Sequence, residues 1–203
     1  MANTSRIGGF KPVYHQNGSP YNGQATRYYV PATDGTAIYI GDVVKLAGSS
    51  DADGFVPTAT IAAAADSVLG VVVGVEPNPD NLTVTGTYRA ASTARYIWVA
   101  DAPGLVFEAE VSNGTPAVTD IGLNANHAVG SASTAMGRSG AYIDFGSEAT
   151  TSTLTFQIRR LVPRVDNEVG ASAKVHVVIN KHQLAQGGQY DTGAAAVVGV
   201  AGT

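Results

Sequence analysis

The sequence predicts an all-β protein with long loops, and three observations carry that prediction. Valine outnumbers leucine 25 to 8, and Glu plus Lys total only nine of 203 residues. Helices favour Leu, Glu, Lys and Arg on exposed positions, whereas Val, Thr, Tyr and Ile suit a pleated, half-buried surface. Glycine, at 24 residues, exceeds its usual share and punctuates the chain into short segments. Several of those segments alternate apolar and polar residues with period two, as half-buried strands do. The 31 alanines lean the other way, but most stand singly among Gly, Thr and Val.

Taken in order, residues 1–27 read as an extended arm. Gly8, Gly9, Pro12, Gly18, Pro20 and Gly23 break every period. Across the arm and its junction with the body, Phe10, Tyr14, Tyr21, Tyr28 and Tyr29 supply more aromatic surface than a solvated tail carries. The first 33 residues hold Arg6, Lys11 and Arg27 and no acid, a balance of +3, against −7 for the remainder. Such a segment is expected to dock on a partner. The other course open to it is to pair as an edge strand with its own body.

The body is expected over residues 28–184. In TAIYIGDVVKLAG, Ile38, Ile40, Val44 and Leu46 share one parity and predict a single half-buried strand. SSDADG (49–54) reads as a turn, and TIAAAAD (60–66) as one helical turn. VLGVVVGVE (68–76) is a continuous apolar run, buried on both faces or packed against a partner. EPNPDN (76–81) reads as a loop. RYIWVAD (95–101) and LVFEAEV (105–111) are expected to pair antiparallel around Asp101–Gly104, with Trp98 in the core. Residues 130–140 are small, polar and flexible in character, and 153–164 and 173–180 alternate as strands. Seven to nine short strands between loops predict a sandwich or barrel. The Gly/Ala-rich tail, 185–203, is expected to be mobile or to pair with a neighbour.

The chemistry legible in the chain is sparse. Without cysteine there is no disulfide, thiolate metal site or cysteine nucleophile. No apolar run is long enough to span a bilayer, and no secretory signal is visible. Asp51-x-Asp53-Gly54 opens like a calcium loop, but Ala62 stands where the bidentate acid belongs, and an Asx turn accounts for the same residues. His176 and His182, about 20 Å apart on an extended chain, are too distant to share a metal. His15 and His127 sit in loop-like sequence. Glu108 and Glu110, about 7 Å apart on one strand, read as a solvated sheet face rather than a glycosidase pair. Arg159, Arg160 and Arg164 are too few to hold nucleic acid against an acidic body. Nucleophile elbow, Walker and dinucleotide motifs are absent from the sequence. The expectation is a binding or assembly protein, with no reaction, cofactor, metal, nucleic acid or membrane partner.

Four stretches resemble the capsid cement, or decoration, proteins of tailed bacteriophages. They are the opening ANTSRIGGFKPVYHQNGSPYNGQATRYYVPATDGTAIYIGDVVKL, then VLGVVVGVEPNPDNL, YRAASTARYIWVADAPGLVFEAE and LVPRVDNEVGASAKVHVVINKHQL. The resemblance implies a virion protein on the outer surface of the head, clamping neighbouring major capsid proteins after expansion. It also implies a jelly-roll-like or barrel-like fold and self-association. A dimer or trimer is expected too because VLGVVVGVE and the VVGVA near the C-terminus exceed what one small barrel hides. The expected capsid-binding residues are Arg6, Phe10, Lys11, Tyr14, Tyr21, Arg27 and Tyr28. The alternative is a head-fibre, tail or other receptor- or carbohydrate-binding virion protein, with a small enzyme third. Sugar binding calls for exposed aromatics beside Asp and Asn, and a Trp98 in the core weighs against it.

Overall fold

Alternating apolar positions and frequent turn residues organise the chain into thirteen short strands in the computed structural model, which describes residues 3–6, 8–78 and 87–185. They are β1 (Lys11–His15), β2 (Thr26–Val30), β3 (Ile38–Tyr39), β4 (Val43–Ser50), β5 (Pro57–Ile61), β6 (Gly70–Val75) and β7 (Tyr88–Arg89). The second half contributes β8 (Arg95–Ala100), β9 (Leu105–Ser112), β10 (Asn124–Ala128), β11 (Tyr142–Ala149), β12 (Phe156–Leu161) and β13 (Lys174–Ile179). The only helical element among the described residues is a 3₁₀ turn, Val118–Asp120. The protein is all-β.

The strands close into two circuits. In the first barrel the order is β2-β5-β4-β6-β8, antiparallel except where β2 meets β5. In the second, β9 pairs with β13, β13 with β12, β12 with β10, β10 with β11, and β11 returns parallel to β9. Strand β1 lies antiparallel along the β11 side of β9, and β3 pairs with β7 as a separate ribbon. From that ribbon, the fully buried Arg89 of β7 donates to the carbonyls of Pro31, Asp34, Thr36 and Thr93, which ties the 31–36 loop down.

The apolar run 68–76 shows how the barrels join. Leu69 and Val72 face the first core with Tyr28, Val30, Ile38, Val44, Ala59, Ile97 and Val99. Val68 and Val71 turn the opposite way, with Val43, Ala62 and Ala100, to meet Leu105, Phe107, Val111, Phe156, Val175 and Val177 of the second barrel. Successive side chains of a strand point to opposite faces, so β6 serves two cores at once. The run is therefore covered by its own chain, and the case for a second copy loses that premise. The VVGVA segment and residues 79–86, including the second half of EPNPDN, lie outside the described residues, as does the tail beyond Ala185.

Several expectations are corrected. TAIYIGDVVKLAG is two strands, broken at Gly41 with φ at +97°. There the buried Asp42 carboxylate accepts the Tyr39 N–H at 2.7 Å and the Ser139 hydroxyl. Residues 60–66 leave β5 in a turn, not a helix, closed by the Ala63 N–H on Asp66 at 2.7 Å. Strand β8 does not pair with β9: β2 and β6 fill both its edges, so Asp101–Gly104 carries the chain from one barrel to the other. Trp98 points outward and is 39% exposed, because Ile97 and Val99 take the inward parity. Residues 130–140 hold a Ser133–Arg138 bridge, and Ile40 donates its N–H to Gly137 O while its carbonyl accepts the Ser139 N–H.

The N-terminal segment pairs with its own body, the second of the two courses open to it. Phe10 is only 2% exposed and stacks on Phe156 with centroids 4.8 Å apart. Its entry needs glycine. A Cβ on Gly9 would come within 2.6 Å of the Gly41 carbonyl, and one on Gly41 within 2.9 Å of the Gly8 carbonyl. The crossing is sealed by the Phe10 N–H on Gly41 O at 3.0 Å. Gly8-Gly9 is thus a close crossing of backbones rather than a break in an unpaired arm.

Candidate functional site

From Phe107 onward strand β9 alternates between a buried and a more exposed face. Leu105, Phe107, Ala109 and Val111 enter the core, which leaves Glu108 and Glu110 on the opposite face. Strand β13 repeats the pattern beside it, with Lys174 opposite Glu110 and His176 opposite Glu108. On the other edge of β9, Lys11 stands opposite Glu108; beyond β13, Arg160 stands opposite His176. A row of Lys11, Glu108, His176 and Arg160 therefore crosses four strands. Cross-strand opposite charges are a stabilising arrangement on a sheet face.

The carboxylates are engaged. Glu110 accepts from Lys174 Nζ and from the Arg6 backbone N–H, the latter at 3.0 Å. Partial burial works against its ionisation, but the hydrogen bonds from Lys174, Ser5 and Arg6 outweigh it and hold the carboxyl below its ordinary value. Glu108 pairs with Arg164 at 3.1 Å. His176 Nδ1 accepts from Arg160 Nε at 3.0 Å, with the Tyr14 hydroxyl at 3.4 Å from the same nitrogen. The Tyr14 and His176 rings meet edge-on at 5.3 Å. Burial, then the Arg160 and Arg164 cations, push the imidazole pKa down despite Glu108. A neutral imidazole offers one lone pair, and here a guanidinium takes it. His176 is thus positioned to hold the sheet face together rather than to accept a proton from a substrate.

Beside this row opens a groove of about 520 Å³, lined by Arg6, Lys11, Glu108, Glu110, Tyr142 and Lys174 among others. Its wall is partly the N-terminal segment, which Asn3 locks in place. The Asn3 amide donates to Glu168 O at 2.8 Å and Ala171 O at 3.0 Å, and its carbonyl accepts the Glu168 N–H at 2.8 Å. What such a site does chemically is present compensated charges beside a concave surface. A partner seated here would have to hydrogen-bond these ion pairs in place of water, because desolvating a pair without new partners is costly.

The seven expected binding residues separate. Arg6, Lys11 and Tyr14 gather at the groove and the charged row. Phe10 and Tyr28 are buried; the Tyr28 hydroxyl donates to Asp101 at 2.7 Å, and burial with that bond pushes its pKa up. Tyr21 packs against the second core and donates to Gln24 O at 3.0 Å. Arg27 lies on the first barrel, paired with Glu76 at 2.7 Å. Glu110 and Lys174 were legible as the outward parity of alternating strands, but only the pairing of β9 with β13 shows that they meet; Arg164 lies beyond the end of β12 and reaches Glu108 from there. Of the motif candidates, Asp51 accepts the Phe55 and Val56 N–H groups at 3.0 and 3.2 Å, the bonds of a turn. His182 lies beyond the end of β13, beside Val68. Comparisons with family models, with curated proteins and with solved structures returned no match.

Proposed function

We propose that this chain is a structural binding protein of the phage virion. It sits on the outer surface of the head and clamps neighbouring major capsid proteins in the expanded shell, as its resemblance to capsid cement proteins implies. The observation that carries this reading is the groove beside β1 and β9, where Arg6 and Lys11 edge a set of charges already compensated by Lys174 and Arg164. A clamp needs rigid volume, supplied here by two barrels sharing a core, and a surface that takes an extended partner segment. Each contact can be modest, because many copies on one shell act together. Self-association as a dimer or trimer, a jelly-roll-like relation to other cement proteins and a docking role for the tail belong to the same proposal.

The test uses matched, expanded capsids stripped of this protein. Adding the full chain should raise the temperature at which they rupture, since a ligand that binds only the intact shell stabilises it by mass action. Lys11→Gln combined with Arg6→Gln, which removes both cations without setting a carboxylate against Glu108, should bind heads at least tenfold more weakly while the chain still unfolds cooperatively. Equal rupture thresholds with and without the protein would overturn the reading. Deleting residues 2–26 is a poor test of anchoring, because it removes β1 and Phe10 from the body and so probes the fold.

A further inference from the structure

The outer face of the first barrel is aromatic. Tyr29 and Arg27 come from β2, Tyr96 and Trp98 from β8, and Gly74 and Glu76 from β6 and its end. In register, Arg27 opposes Trp98, Tyr29 opposes Tyr96, and Trp98 opposes Gly74 on the far side. The indole is held close over that glycine: a Cβ there would stand 3.6 Å from Trp98 Cβ and Cδ1. Next to it the Arg27 guanidinium lies 3.6 Å over the Tyr96 ring and donates to both Glu76 oxygens, at 2.7 and 3.0 Å. Tyr29 packs on Tyr96 with centroids 5.1 Å apart, and the Tyr96 hydroxyl donates to Asp51 at 3.3 Å. The same Asp51 closes the turn that carries Phe55, which is 86% exposed.

We infer that this face is a carbohydrate-binding platform for a neutral saccharide, with a pyranose ring seated on Trp98 and its hydroxyls bonded by Arg27 and Glu76. The chemistry selects that class. A sugar ring has an apolar C–H face and an equatorial belt of hydroxyls, matching an aromatic plane with donors and acceptors at its edge. Arg27 is already neutralised by Glu76, and Asp51 adds negative charge, so a phosphate backbone or an acidic polymer is disfavoured. A dry protein contact would have to bury the Arg27–Glu76 pair, whose desolvation is costly, whereas hydroxyls keep both partners hydrogen-bonded. Sugar binding calls for exposed aromatics beside acids, and with Trp98 turned outward this face has them. The inference does not rest on the capsid reading, and either can fail without the other.

Trp98 is the sole tryptophan, so emission excited at the red edge, where tyrosine does not absorb, reports this face alone. The experiment screens a printed array of neutral and acidic bacterial glycans, then titrates the full chain with soluble neutral hexasaccharides of glucose, mannose and galactose, with polysialic acid as the acidic comparison. At least one neutral hexasaccharide should change the emission saturably, with Kd of about 10 μM to 1 mM. Affinity electrophoresis in the matching polysaccharide should show roughly tenfold or greater loss for Trp98→Ala. Should that variant fail to fold, Gly74→Val, whose side chain crowds the indole with no backbone strain, should give the same loss. No neutral ligand at millimolar concentration, binding of polysialic acid alone, or full binding by the substituted chain would overturn the inference.

Discussion

Phe10 stacks on Phe156 and meets His127 edge-on at 6.5 Å, while His127 Nε2 lies 3.0 Å from the Ala62 carbonyl, a contact between the second barrel and the end of β5. Aromatic residues placed between glycines and prolines can serve a partner or their own core, and composition does not distinguish the two. Buried histidines are likewise silent in the sequence but carry a consequence for stability. Burial drives the His182 pKa down to about 4, with Asp101 only partly opposing, and its Nδ1 accepts the Leu184 N–H at 3.0 Å. In the unfolded chain the same group titrates near 6.5. Between those values the unfolded state takes up a proton that the folded state refuses. The contribution of His182 is therefore complete above about pH 6.5, is lost as pH falls toward 4, and is constant below that. The slope is at most about 1.4 kcal/mol per pH unit for this one group. Burial lowers the His127 and His176 pKa values as well, so they add to the loss. Urea unfolding at pH 7 and pH 5 should show the drop, and His182→Gln should reduce it; an unchanged pH dependence in that variant would refute the assignment.

At the scale of elements, β6 sets the fold because it must satisfy two cores and pack closely on β8. A Cβ on Gly70 would come within 2.3 Å of the Ala100 carbonyl and 2.9 Å of Val99 Cγ1. The obstacle is backbone, not the movable end of a side chain. Gly70→Ala should therefore push β6 away from β8 and cost about 1–3 kcal/mol, the range for overpacking. Chemical denaturation measures the cost, and amide shift changes should centre on β6 and β8. A neutral substitution would mean that the two strands can separate freely. The same tightness explains why β8 and β9 do not form the hairpin that their spacing suggests. A strand with both edges occupied has no hydrogen bonds left to offer the next strand in sequence, which then starts a second circuit.

For the whole molecule, the shared core predicts one cooperative transition. Val43, Ala62, Val68, Val71 and Ala100 of the first barrel are buried in the cluster that fills the second, so neither barrel keeps its apolar surface covered if the other opens. Trp98 emission reports the first barrel, and far-UV circular dichroism reports both. Their denaturation curves should coincide at one midpoint, and calorimetric and van't Hoff enthalpies should agree. Two separated midpoints would show that the seam is weaker than its burial indicates.

The all-β class, the strand segments of β6, β9, β12 and β13, and the outward parity of Glu108, Glu110, Lys174 and His176 were all legible in the chain. Each follows from local chemistry: β-branched content, period-two alternation and turn residues. The two closed circuits, the inward turn of Phe10, the outward turn of Trp98 and the joining of Glu110 to Lys174 were not. Strand neighbours are set by which apolar faces find each other across long sequence separations, and alternation within one strand says only that it has two faces. Which face meets the core is decided by the partner strand. For β8 and its tryptophan, that partner lies on β2, some seventy residues earlier in the chain.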